Sequence, residues 1–233
     1  MAEGLRERKK RETKQRISDI ATGLFLEHGF VSVTVADVAE AADVSVNTVY
    51  NYFPAKEDLF LDRMDGVTQR LARMIRGRDQ GESAAQAVLR ELRQDIGAVS
   101  PAYGLMDGFD AFMNVIEHAP TLKARLFHLR DQVHEAVVTT LREETGAAAD
   151  DPLPLLVGGQ LAWIESTVVG YITGEMTVGR KATAVSREAL VLLDEIEELL
   201  SDKVLAYAVR EDRSRGGGVA SVTSVKEGVT RVT

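Results

Sequence analysis

The sequence predicts an all-α protein, a small three-helix head on a larger helical body, and three observations carry that expectation. Apolar residues recur at three- and four-residue spacing, as in Ile17, Ile20, Ala21, Leu24 and Phe25, and again in Leu105, Phe109, Phe112, Met113 and Ile116. Alternation with a period of two, the mark of half-buried strands, is nearly absent. Breaks at Gly29, Asp43, Phe53–Pro54, Gly77 to Gly81, Ser100–Pro101, Ala119–Pro120, Gly146 to Pro152 and Gly179 divide the chain into roughly nine helices.

The first three helices are short, spanning about 10 to 28, 34 to 41 and 45 to 52, and longer amphipathic ones follow to about residue 212. The expected division is a head over 1–53 with a basic N-terminal arm, a body over 54–212 and a flexible tail over 213–233. The tail "GGGVASVTSVKEGVTRVT" has no clean period and follows the charged "REDRSR".

With 233 residues and 45% hydrophobic composition, the chain can fill a proper core. It has no cysteine, which excludes disulfides, thiolate metal sites and cysteine nucleophiles, and a cytoplasmic setting is expected. The N-terminus is charged, and no run of about eighteen uninterrupted apolar residues follows it, so export and membrane insertion are not expected.

The formal net charge of -8 argues against a polyanionic partner, but its distribution does not. Arg6, Arg8, Lys9, Lys10, Arg11, Lys14 and Arg16 face only Glu3, Glu7 and Glu12 within the first sixteen residues, and the remainder is acidic. Taken alone, this run reads first as a solvated, frayed terminus, with a minor-groove arm as the alternative.

The second and third helices carry the chemistry. Thr34 is placed to cap the second, with Asp37 three residues on answering the helix dipole. Val35, Val38 and Ala39 form its inner face, and the small Ala39 permits the close crossing of a helix-turn-helix. Ala42-Asp43-Val44 makes the turn, and Ser45 caps the third helix.

Val49 and Phe53, four apart, lie on the buried side of that third helix, with the edge of Val46. The other face presents Asn47, Thr48 and Asn51, short donors and acceptors suited to base edges in a major groove, where asparagine can bridge both groups of adenine. Tyr50, Tyr52 and Lys56 suit phosphates. The two tyrosines are about 200 degrees apart around a helix, so at least one ring faces outward.

The stretch "TVADVAEAADVSVNTVYNYFPAKEDLF" resembles the signature of the tetracycline-repressor (TetR) family of bacterial transcription regulators. The likeness covers residues 12 to 60 and includes "LFLEHGF", Thr34, Val38-Ala39, Val44-Ser45, Thr48-Val49-Tyr50, Tyr52-Phe53-Pro54 and Lys56-Glu57. It implies a helix-turn-helix DNA-binding head on a ligand-binding and dimerisation body. It also implies that Thr34, Tyr52 and Lys56 hold phosphates while Val46, Asn47, Thr48, Tyr50 and Asn51 lie at or near the bases, behind Ser45 at the helix start.

Two positions depart from the usual pattern of that family. The turn glycine is Asp43 here, a residue that tolerates left-handed backbone better than most. The glycine often found early in the recognition helix is Asn47, which adds a side chain able to read a base.

A head this small implies a homodimer on palindromic operator DNA, with half-sites about 34 to 36 Å apart. Ala162, Ser166, Gly170 and Gly174 form a strip of small residues at intervals of four on a helix over 152 to 178. Leu193, Ile196, Leu200 and Tyr207 stripe a helix over 184 to 210. The resemblance implies that these two helices pair with their copies in a four-helix bundle. Packing within one chain is the alternative from periodicity alone.

Met106, Phe109, Phe112, Met113, Phe127, Trp163 and Tyr171 are bulky groups in the body. Core filling explains most of them. The functional alternative is a pocket for a small hydrophobic or aromatic effector, with Gln160, Trp163, Ser166 or Tyr171 as polar contacts. A helix over 54 to 76 is expected to carry effector binding to the head.

Rival classes fare worse. His28, His118, His128 and His134 lack metal spacing, and no phosphate loop or nucleophile elbow occurs, so neither an enzyme nor a metal or cofactor site is expected. An architectural DNA binder would be basic throughout. A helical small-ligand carrier leaves the polar face of the third helix and the basic run unexplained.

Overall fold

A computed structural model describes residues 4–64 and 66–211. The expected tail over 213–233 lies outside the described residues. Helices α1 (Leu5–His28), α2 (Val35–Ala41) and α3 (Val46–Tyr52) are followed by α4 (Lys56–Leu61), α5 (Arg70–Arg76) and α6 (Ala84–Gly97). Then come α7 (Phe109–Glu117), α8 (Pro120–Thr145), α9 (Leu153–Thr177), α10 (Ala182–Glu198) and the short α11 (Asp202–Leu205). The described residues contain no strand.

Helix ends follow local chemistry. The Thr34 and Asp37 side chains and backbones cap α2 reciprocally, as Ser83 and Gln86 cap α6, satisfying amides that have no partner in the first turn. Pro120 opens α8, where a missing N–H costs nothing, and Gly146 closes it in left-handed backbone at φ 63°.

Three expected boundaries move. The first helix starts at Leu5 instead of about residue 10, so the whole basic run from Arg6 to Arg16 is helical. The single helix expected over 54 to 76 is interrupted: short 3-10 turns at Asp62–Met64 and Val67–Gln69 flank Gly66, whose φ of 83° no right-handed helix accommodates. The helix expected over 184 to 210 ends at Glu198, and Tyr207 lies beyond α11, where its carbonyl accepts the Ala84 amide at 3.2 Å.

Two apolar cores result. One joins Ile17, Phe25, Val38, Val49, Phe53 and Phe60 of the head to Val115, Ile116, Ala119 and Leu122, so the ends of α7 and α8 are built into it. The other gathers Leu71, Leu92, Leu141, Leu161, Val168 and Leu193 of the body. Helix α9, at the centre of the body, is long and apolar enough to cross a membrane by length and composition. It packs instead between α8 and α10 and buries Glu165.

Candidate nucleic-acid interface

The helix-turn-helix is held by contacts both local and remote. In the turn, Asp43 takes left-handed backbone at φ 50°, as its asparagine-like tolerance predicts, and the Val44 amide donates to the Ala39 carbonyl at 3.0 Å. From α1, Arg16 Nη1 donates to the Ala42 carbonyl at 2.5 Å, and Lys14 pairs with Asp62 at 2.7 Å. The basic helix is thereby fastened beside the turn that precedes α3.

Helix α3 divides as its sequence suggests. Val49 is buried, and so is Phe53 at the helix end, whereas Val46 is 40% and Tyr50 48% exposed, with Asn47 and Asn51 also open to solvent. Tyr52 is half-buried against the head core. Of the two tyrosines, Tyr50 supplies the outward ring.

Several polar groups in the expected DNA-facing set already have partners. Ser45 Oγ accepts the Thr48 amide at 3.0 Å and lies 2.8 Å from the Thr48 hydroxyl, so both side chains serve the helix start. The Thr34 amide and hydroxyl each donate to Asp37 Oδ2 at 2.7 Å. The amide bond, first, and the hydroxyl hold the Asp37 carboxyl below its ordinary pKa.

Lys56 departs from expectation. Its ammonium is turned inward onto the Phe30 carbonyl and sits 4.4 Å from the centroid of the Phe30 ring. Burial lowers its pKa, against the opposing pull of Glu57 and Asp37. Its position is set by the head core, not by the open face of α3.

The residues expected to form an effector pocket do not converge. Phe112 and Met113 pack on the head core and Phe109 on the body core, while Met106 and Phe127 are exposed, the latter by 63%. Trp163 is 48% exposed on the outer side of α9, close in register to Gln160. Ser166 donates to the Trp163 carbonyl at 3.0 Å, and the Tyr171 hydroxyl to Glu188 at 2.6 Å. A cleft of about 340 Å³ does occur, at the junction of head and body, lined by Lys14, Tyr52, Phe53, Asp58, Met64 and Arg125.

The expected dimer stripes divide likewise. Leu193 and Ile196 are buried in the protomer's own core, and Leu200 and Tyr207 pack against it, which corrects that part of the expectation. The outer side of α9 stays open along Leu156, Gln160, Trp163, Gly170 and Gly174, at three-, four- and seven-residue steps. A Cβ added at Gly170 or Gly174 would meet nothing within 4 Å. Ala162 and Ser166 lie half-buried beside that strip.

Sequence reasoning passed over Glu165, Arg70 and Tyr103. Glu165, a lone acid in the apolar middle of α9, is only 6% exposed, and burial raises its pKa to about 7 against the pull of Arg70. A charge inside "LAWIESTVV" was the available signal.

Residues 17–62 match the family described as bacterial regulatory proteins, tetR family. The chain is 28% identical over 153 residues to the HTH-type transcriptional regulator TcmR of Streptomyces glaucescens, covering 64% of this chain and 67% of that protein. It is 38% identical over 69 residues to the HTH-type transcriptional repressor KstR of Mycolicibacterium smegmatis, across 27% of this chain and 34% of the repressor. Among solved structures, the complex of SmeT with triclosan superposes with a TM-score of 0.54 over 83% of this chain and 94% of SmeT, at 16% identity, a likeness of fold.

Proposed function

Since the chain belongs to the tetR family of bacterial regulatory proteins, we propose that it represses transcription by binding a palindromic operator as a homodimer and is released by a small-molecule effector. The observation that carries this reading is the outward face of α3, where Val46, Asn47, Tyr50 and Asn51 stand open above a buried Val49. Asn47 and Asn51 supply paired donors and acceptors for base edges, and Val46 suits a thymine methyl. Thr34, Tyr52 and the basic helix α1 supply the phosphate side of the contact, which fixes register without reading sequence.

Dimerisation rests on the open strip of α9, where small residues let a second copy approach closely and Trp163 and Leu156 supply apolar area. Effector control needs a ligand that prefers one head placement over another. Because the 54 to 76 stretch is broken at Gly66, the connection runs through α7 and α8, which carry Phe112 against Phe60 and Arg125 against Asp58 at 3.2 Å. A protein of similar fold, SmeT, forms a complex with triclosan, which supports control by a small molecule.

Selection from randomised duplexes, followed by footprinting of the selected sites, tests the reading. The expected result is a palindrome with half-sites about one helical turn apart. Binding with no sequence preference over random duplex would overturn it.

A further inference from the structure

Within the body, Arg70 at the start of α5 is held between an aromatic face and a buried carboxylate. Its guanidinium carbon lies 4.3 Å from the centroid of the Tyr103 ring, and its Nη1 lies 3.7 Å from Glu165 Oε1, longer than a hydrogen bond. Its Nη2 donates to the Ala102 carbonyl at 3.0 Å. Glu165 is 6% and Tyr103 2% exposed, yet neither Glu165 Oε1 nor the Tyr103 hydroxyl has a hydrogen-bond partner among the described residues.

Two buried polar atoms that meet Arg70 without a hydrogen bond in an apolar core are costly, and the elements that hold them are built for a cation: a ring face, an anionic oxygen and a hydroxyl. Glu165 lies on α9 between Leu161 and Val168, both fully buried, so the walls are apolar. Arg70 also opens α5, just past the 3-10 turn Val67–Gln69 that follows Gly66. Beside Tyr103, Gly104 admits the ring of Phe109, which leads through Phe112 to Phe60 of the head.

We infer that the effector is a small organic cation with an apolar or aromatic body, which displaces the Arg70 guanidinium from Tyr103 and Glu165. The inference rests on the regulator reading above for its consequence but not for its chemistry. An amidinium or ammonium placed there donates to Glu165 Oε1 and to the Tyr103 hydroxyl oxygen, and lies over the ring. A carboxylate is repelled by Glu165, and a neutral amide of the same shape gains no ion pair. Release of Arg70 unseats Tyr103, and through Gly104, Phe109 and Phe112 of α7 the change reaches Phe60 and repositions the heads.

The test uses the full chain and three molecules of one shape: benzamidine, benzamide and benzoate, titrated by calorimetry. Benzamidine is expected to bind at least about tenfold more tightly than either of the others, a difference in line with an ion pair in a dry site. Glu165→Gln, checked for its fold by circular dichroism, should lose about tenfold or more of the benzamidine affinity. Arg70→Gln, titrated at pH 9 to keep Glu165 ionised, should bind benzamidine more tightly, because the resident competitor is gone. No saturable benzamidine binding, equal affinity for benzamide, or unchanged affinity in Glu165→Gln would each overturn the proposal, as would weakened binding in a folded Arg70→Gln. Operator selection on the same preparation separates the two claims: selection without benzamidine binding sinks this inference alone, and benzamidine binding without selection sinks the operator reading alone.

Discussion

The rings of Phe60 in α4 and Phe112 in α7 stack with centroids 4.4 Å apart and planes at 12°. Phe60 is fully buried and also meets Phe25 edge-on at 5.8 Å, so this pair joins the head to the body through a rigid aromatic contact. Phe60→Ala is expected to cost about 3–5 kcal/mol in urea unfolding at fixed protein concentration. A double-mutant cycle with Phe112→Ala should return a coupling of about 0.5–1.5 kcal/mol. Additive losses would show that the stack is not an energetic link.

Gly104 combines left-handed backbone at φ 84° with a Cβ position only 2.6 Å from the Phe109 ring. Gly104→Ala therefore meets both backbone strain and a collision with a side chain already packed on the body core. A loss of about 1–3 kcal/mol is expected, read as a lower denaturation midpoint.

At Gly170 the protomer leaves room for a side chain, whereas an interface of close-packed helices does not. Gly170→Arg should keep its helical content, since arginine favours a helix more than glycine does. By sedimentation it should be monomeric, and operator affinity should fall by roughly 10²-fold or more as the two heads lose their linkage. A dimeric variant would move the interface elsewhere.

For base reading, Asn51→Ala should weaken operator binding by about 1–3 kcal/mol while leaving binding to random duplex nearly unchanged. Asn47→Gly should relax the selected preference at one position per half-site. An unchanged motif would remove Asn47 from the reading face.

Glu165 ties stability to pH. Its folded pKa of about 7 lies above the ordinary glutamate value of 4.5, so the folded protein holds a proton there that the unfolded chain releases between those two values. Its contribution is therefore full below about pH 4.5, falls as pH rises through 7, and is level above that; the total is roughly 3 kcal/mol. The difference in unfolding free energy between the wild type and Glu165→Gln, measured from pH 5 to pH 8, should show this slope and isolate it from other carboxylates. Asp37 has the opposite sign: its depressed pKa gives stability that is present above its unfolded value and lost in acid as the carboxyl protonates.

Legibility followed the span of each contact. The caps at Thr34 and Ser45 close over three residues, and the left-handed turn at Asp43 joins two adjacent helices, so residue type and spacing suffice to find them. The outward face of α3 follows from the same periodicity that buries Val49. Leu193 and Ile196 carry an equally clear stripe, but a stripe does not say whether the surface it meets belongs to the same chain. Here α6 and α9 of the protomer supply that surface, with Ser186 donating to the Ile96 carbonyl across 90 residues.

The sequence by itself determined the helical class, the head with its capped α2 and α3, and the polar face that α3 turns outward, because these depend on neighbours within one or two turns. Only the tertiary structure decided that Lys56 faces Phe30, that the bulky residues of the body divide between the two cores and the surface, and that Glu165, Arg70 and Tyr103 meet in the interior. Arg70 and Glu165 lie far apart along the chain, and their meeting depends on how α5 and α9 pack into the core, a relation no local pattern encodes.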